Sequence, residues 1–277
     1  MIKDIVVNLT IGVDRDSAAN YAVSLANIFK AHLVGIAFVY DPKISANLMV
    51  GIPAELVDAQ RAANRHLANE ATARFEAIAK QAGVTTELQV IDVAVGKVGN
   101  TFGHLARSFD LSVIRQAVSD EAEQEISIIE GALFESGRPV IVVPHAHTKG
   151  AEFKRVMVGW DGSRTAARAI GDAMPLLECA KIIEVFTMVT GSTNNVKSTE
   201  INNIGQHLSR HGLNVEVKRI PAVDMGVSDA ILSHAADISA DFMIMGGYGH
   251  SRLREYMLGG ATRGILASMT LPTLMSN

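Results

Sequence analysis

Cys179 is the only cysteine in the 277 residues, so the chain closes no disulfide of its own and builds no cysteine-based zinc cage. A surplus of positive charge is also missing. Lys and Arg number 25 against 29 Asp and Glu, a net charge of −4, and no basic run interrupts that balance. The electrostatic footprint of a nucleic-acid binder is therefore absent. No apolar run reaches the ~18 residues that a membrane-crossing helix needs. The opening stretch MIKDIVVNLTIGVDRDS lacks a cationic region followed by a sustained apolar segment, so it does not read as a signal peptide. These absences predict a cytoplasmic protein that engages neither nucleic acid nor the membrane.

Catalytic signatures are missing too. No Gly-x-x-x-x-Gly-Lys-Ser/Thr occurs, which removes the lysine and the magnesium-binding hydroxyl of a P-loop. No Gly-x-Ser-x-Gly elbow and no set of nucleophile, base and orienting acid is found. Nothing is placed to position an attacking water, so efficient ATP hydrolysis is not predicted. Two histidine pairs have metal-like spacing, His145 with His147 and His207 with His211. Neither comes with the glutamate of a His-Glu-x-x-His site, and both read as solvated.

What the chain does contain is 48% hydrophobic and 19% charged residues, the balance of a globular protein. Short β-branched runs alternate with segments of helical period. In the first half, strands are expected at 5–9, 32–39, 84–93, 111–114 and 140–143, and helices from Ser17, at 54–81, 98–109 and 121–136. This is the β-α-β-α order of a doubly wound parallel sheet.

The same order starts again at Phe153. Lys154 to Val158 matches Lys3 to Val7, Ser163 caps a helix running to Leu177, and strands are expected at 181–189, 213–220, 242–245 and 273–275, with a helix at 228–239. Asp110 precedes the fourth strand as Asp241 does, and Pro139 precedes the fifth as Pro272 does. The period is far longer than that of a solenoid, so each copy can carry its own core. The polar stretch PHAHTKGAE reads as the linker, which divides the chain into 1–149 and 150–277.

One motif carries chemistry. After the strand at 242–245 come Gly246 and Gly249, then nine residues, then Gly259 and Gly260 opening a helix. Glycines let the backbone adopt φ > 0 and let phosphate oxygens approach it, while a helix N-terminus offers unpaired N–H groups to an anion. The carboxyl end of a parallel strand is where open α/β sheets bind ligands. His250, Arg252 and Arg254 lie in the spacer, where a positive group can reach a phosphate. The arginines read equally as solvated surface.

This spacing resembles the Gly-2x-Gly-9x-Gly-Ser/Thr signature of the universal stress protein family, and Trp160-Asp161-Gly162-Ser163 is similar to that family's Val-Asp-Gly-Ser. The resemblance implies ATP binding, with Mg²⁺ as an accompanying ion. Asp161 would lie beside the adenine or ribose, Gly246 and Gly249 near the ribose and phosphates, and Gly259, Gly260 and Ala261 around the terminal phosphates. It also implies two five-stranded units packed as a pseudo-dimer through their fifth strands, here 140–143 and 273–275. A homodimer and a further protein partner are compatible with it.

The sequence departs from the family at Gly260, where Ser or Thr is usual. Losing one hydrogen bond to a charged partner costs about 1.5–3 kcal/mol, or roughly ten- to a hundredfold in affinity. Thr262 is a candidate substitute. The first half departs further: Arg115 stands at the place of Gly246, Val118 at that of Gly249 and Thr10 at that of Asp161. Its site reads as lost, with Arg115 filling space that a ribose would need. Three functions remain open: a nucleotide-dependent regulator of stress response, a nucleotide-independent scaffold, and a slow or metal-assisted ATP hydrolase.

Overall fold

From Ile5 onward the first strand is buried residue after residue, as a central parallel strand covered on both faces must be. In the computed structural model, which describes residues 1–40, 54–94, 96–118, 122–189, 198–221, 226–247 and 260–277, the first half runs β1 (Asp4–Leu9), α1 (Ser17–Phe29), β2 (His32–Tyr40), α2 (Ala54–Gln81), β3 (Thr86–Val93), α3 (Val98–Ala106), β4 (Leu111–Arg115), α4 (Glu123–Glu135) and β5 (Val140–Val143). The second half repeats it as β6 (Arg155–Gly159), α5 (Arg164–Leu177), β7 (Ile182–Val189), α6 (Ser198–Arg210), β8 (Val215–Pro221), α7 (Val227–Asp237), β9 (Phe242–Gly246), α8 (Gly260–Ser268) and β10 (Thr273–Ser276).

All ten strands join one sheet in the order β3-β2-β1-β4-β5-β10-β9-β6-β7-β8. Read outward from the middle, both halves have the same order, and every pairing within a half is parallel. The halves meet where β5 and β10 pair antiparallel, with Leu274 opposite Ile141 and the flanking residues exchanged symmetrically. The fifth strands are thus the seam of the pseudo-dimer, as expected. Because the seam is antiparallel, the carboxyl ends of one half's strands lie beside the amino ends of the other's.

Apolar layers cover both faces. One is built around Leu25, Phe75, Leu176 and Leu208 from α1, α2, α5 and α6. The other uses Phe102, Ile128, Ile231 and Ile265 from α3, α4, α7 and α8. Gly131 lets α4 approach the α3 backbone at Gly99, and Gly264 lets α8 approach α7 at Ser228.

The residues that mark the repeat do the same work in each copy. Asp110 accepts the amides of Lys3 (2.7 Å) and Asp4 (3.1 Å), and Asp241 accepts those of Lys154 (2.8 Å) and Arg155 (3.3 Å). Each carboxylate ties the start of the first strand to the start of the fourth. Element boundaries shift by a few residues from expectation, mostly at fraying ends. Helix α3 stops at Ala106 because the amides of Ser108 and Phe109 fold back to Leu105 and Ala106 in a tighter turn.

Candidate functional site

The order of the second half reverses between β6 and β9: β7 and β8 lie outward of β6, and β10 lies outward of β9. Such a reversal opens a crevice at the carboxyl edge of a doubly wound sheet. The chain beyond β6 supplies Trp160, Asp161, Gly162 and Ser163 to this edge. Asp161 is exposed, and its Oδ1 accepts the Ser163 amide at 2.9 Å. Gly162 turns the chain at φ +77°, a conformation that costs glycine little. Ser163 Oγ then accepts the Ala166 amide at 3.1 Å and caps α5. The helix-entry role of Asp-Gly-Ser is established by these contacts.

Gly246 ends β9 on the opposite side of the crevice. Among the described residues its φ is not positive, which corrects the expectation that glycine is needed here for a left-handed backbone. Close approach is the reason: a Cβ would lie 2.6 Å from the Ala166 amide nitrogen and 2.7 Å from Thr165 Oγ1, in the first turn of α5. Gly247 follows, with Leu133 of α4 at 2.9 Å from its Cβ position. Gly260 opens α8 and is exposed, with no atom within 4 Å of where a Cβ would stand. Ala261 is half-buried and Thr262 is buried at 5% exposure, so the candidate substitute hydroxyl is packed within the fold. Gly249, His250 and Gly259, with Arg252 and Arg254, lie outside the described residues.

One group absent from the sequence reading belongs to this edge. Glu200, in the first turn of α6, brings its Oε2 to 4.0 Å from the Cβ position of Gly162. Nothing local in the sequence signals this, since α6 is placed by the crossover from β7 to β8.

In the first half a side chain of the protein takes up the start of α1. Thr10 and Arg115 occupy the places of Asp161 and Gly246 in the strand register. The helix cap is Asp16: its Oδ1 accepts Ala18 (3.0 Å) and Ala19 (3.2 Å), and its Oδ2 accepts Thr10 (2.7 Å). Burial pushes the Asp16 carboxyl up, while those three amides and the Arg115 charge pull it back down. A carboxylate of the protein itself thus takes the amides that an anion at this helix start would use. The signal was Asp16 directly before Ser17, two cap-forming residues in sequence.

Neither histidine pair gains a third metal-type ligand among the described residues. His145 Nδ1 lies 3.1 Å from Gln116 Oε1, whereas the His147 ring stands edge-on to Tyr21 at 5.6 Å. His207 and His211 pack ring against ring at 4.8 Å. Among the described residues, no group of three His, Cys, Asp or Glu could hold a metal ion, and no helix is long and apolar enough to cross a membrane.

The sequence matches no family model and no curated protein. Solved structures do match. A universal stress protein from Archaeoglobus fulgidus DSM 4304 covers 98% of this chain and 96% of its own at a TM-score of 0.74 and 17% identity. A functionally unknown protein of Pseudomonas aeruginosa PAO1 covers 99% and 92% at 0.61 and 12% identity. A candidate universal stress protein of Pseudomonas aeruginosa UCBPP-PA14 covers 99% and 93% at 0.62 and 12% identity. The chain therefore has, over its full length, the fold of universal stress protein structures.

Proposed function

We propose that the chain is a tandem universal stress protein, with copies at 1–149 and 150–277, whose C-terminal half binds ATP together with Mg²⁺. In this reading it is a cytoplasmic regulator in which bound nucleotide favours one conformation or partner surface over another. The observation that carries the reading is the placement of the Asp161 turn and Gly246 on the two strands that flank the reversal of the sheet. Gly260 and Ala261 then supply the amides of a helix start. Glu200, whose Oε2 lies beside the Gly162 turn, is the carboxylate that would hold a magnesium ion, which takes one or two carboxylates and completes its shell with water and phosphate oxygens. Such an ion would neutralise phosphate charge. The protein's own residues orient the nucleoside at Asp161 and the phosphates at Gly260.

The closed first half supports one nucleotide per chain. It also favours the second reading, a scaffold that needs no nucleotide. Protein purified without added nucleotide should release adenine nucleotide on denaturation, and calorimetry should give saturable ATP binding at one site. Asp161→Ala should weaken that binding, and changes at Val118 should leave it intact. No release and no heat at about 1 mM ATP would replace the nucleotide reading with the scaffold.

A further inference from the structure

Helix α8 has only 9 residues, and a helix this short is not held in place by its own hydrogen bonds. Packing fixes its body: Ile265 is buried in the layer shared with α7, and Gly264 lies against Ser228 of that helix. Its carboxyl end has a different holder. The last four carbonyls of a helix have no partner within it, and two of those in α8 are taken by one side chain from the other half. Gln116 Nε2 donates to the carbonyls of Leu266 (2.9 Å) and Ala267 (3.1 Å).

Gln116 is 3% exposed, and its amide can face only one way. Carbonyl oxygens accept, so the nitrogen faces α8; the His145 amide donates, so the oxygen faces the linker. Oε1 accepts that amide at 3.2 Å and lies 3.1 Å from His145 Nδ1. The backbone amide of Gln116 donates to the Val143 carbonyl at 2.8 Å, which anchors the residue to β5. Linker and strand therefore grip Gln116 before it reaches α8.

The brace runs one way. Gly247 stands at the matching place in the second half, and its amide makes the matching bond, to the Ser276 carbonyl at 2.8 Å. It has no side chain with which to reach α4, the counterpart of α8. The two helix starts differ as well. Helix α4 carries Glu123 and Glu125 in its first turn, which supply the negative charge that a helix N-terminus favours. Helix α8 has no acidic residue in its first turn. The braced helix is the one whose amino end is left for an outside anion.

We infer that Gln116 is a positioning residue for the nucleotide site. By fixing the carboxyl end of α8 it fixes where the amides of Gly260 and Ala261 stand, and so sets the affinity for the phosphates but not for the nucleoside. The inference rests on the nucleotide reading above. Gly260 is about 9 Å from Leu266 along the helix axis, at ~1.5 Å per residue, and over so short a rod a shift at one end reaches the other. A binding group whose supporting contacts are removed loosens even when its own atoms are unchanged.

Calorimetry of the full chain with ATP and with adenosine separates positioning from general stability. Gln116→Met keeps the bulk of the side chain and removes its hydrogen bonds. Gln116→Asn keeps the amide on a stem too short to make them, and serves where Gln116→Met does not fold. Either should weaken ATP binding about tenfold and leave adenosine binding as in wild type. Arg168→Gln removes a different bond between the halves, from the guanidinium to the Gly137 carbonyl, and should change neither ligand. In nucleotide-free protein the α8 amides should exchange hydrogen faster in Gln116→Met than in wild type, with α7 unchanged. Equal losses for ATP and adenosine, wild-type ATP affinity in the Gln116 variants, unchanged exchange in α8, or an equal ATP loss in Arg168→Gln overturns the inference and leaves the nucleotide reading standing. Wild-type protein that gives no heat with ATP removes that reading and this inference with it.

Discussion

Gly246→Ala separates two reasons for a glycine at the end of β9, and it does so without any ligand. The added methyl would stand 2.6 Å from the Ala166 nitrogen, 2.7 Å from Thr165 Oγ1 and 2.8 Å from the Thr165 carbonyl carbon. Favourable separations between carbon atoms are about 3.5–4.0 Å, so the shortfall is on the order of 1 Å. Two of the three atoms are backbone in the first turn of a capped helix, so rotating one side chain does not relieve it. Overpacking of this kind costs about 1–3 kcal/mol, and the rigidity on both sides places it in the upper part, about 2–3 kcal/mol. For a chain of this size that corresponds to a melting temperature lower by roughly 4–12 °C. Gly260→Ala is the control: its Cβ meets nothing within 4 Å, and the same methyl should be neutral or stabilising by up to about 1 kcal/mol. Both are measured by thermal and urea denaturation of nucleotide-free protein. A Gly246→Ala protein that melts with wild type would refute the packing argument and return the glycine to a ligand role alone.

Gly260→Ser restores the hydroxyl usual in the resembled signature and should tighten ATP binding by about tenfold or more; unchanged calorimetry would mean that no phosphate oxygen lies within its reach. The buried pair of Glu184 and His234, Oε1 to Nε2 at 2.5 Å, replaces Val34 and Leu105, the residues at the matching positions of the first half. His234→Leu alone should cost about 3–5 kcal/mol by stranding the carboxylate, whereas adding Glu184→Val should recover most of that loss; additive urea midpoints would contradict this. Burial lowers the His147 pKa below its usual value of 6.5, so the unfolded chain binds the proton more readily. The stability from this group is present above about pH 6.5 and is lost as pH falls through the folded value. In phosphate-free buffer the melting temperature should fall on acidification across that window, less steeply in His147→Phe, and an unchanged slope in that variant would exclude His147 as the source.

The elements legible in the sequence are those whose signal is local. Strand β5 is an uninterrupted β-branched run and β1 carries one at Ile5, Val6 and Val7, α5 begins at a Ser with its cap partner three residues on, and Asp110 and Asp241 repeat because each strand start needs the same acceptor. The site is half legible. Asp161 and Gly246 reach the crevice because strand order puts them there, but the reason for Gly246 is a helix that approaches from elsewhere, which no spacing rule contains. Asp16 outcompetes the neighbouring Ser17 as cap because seven residues connect β1 to α1 where four connect β6 to α5, and the longer loop brings the Thr10 amide onto its second oxygen. Glu200 depends on the tertiary approach of α6 within the second half, and the Tyr21 to His147 contact on that of the linker.

The inequality of the two copies follows from how they are joined. At the end of β4, Gln116 donates from Nε2 to the carbonyls of Leu266 (2.9 Å) and Ala267 (3.1 Å), the last turn of the helix that Gly260 opens. Its Oε1 accepts the His145 amide at 3.2 Å. Helix α8 of the second half is therefore held at its carboxyl end by the first half. A glycine at 116, as at the matching Gly247, could not make these bonds. Arg115, which stands at the place of Gly246, comes directly before the residue that braces α8. The departure from glycine at this strand end and the brace across the seam thus fall on adjacent residues, Arg115 and Gln116.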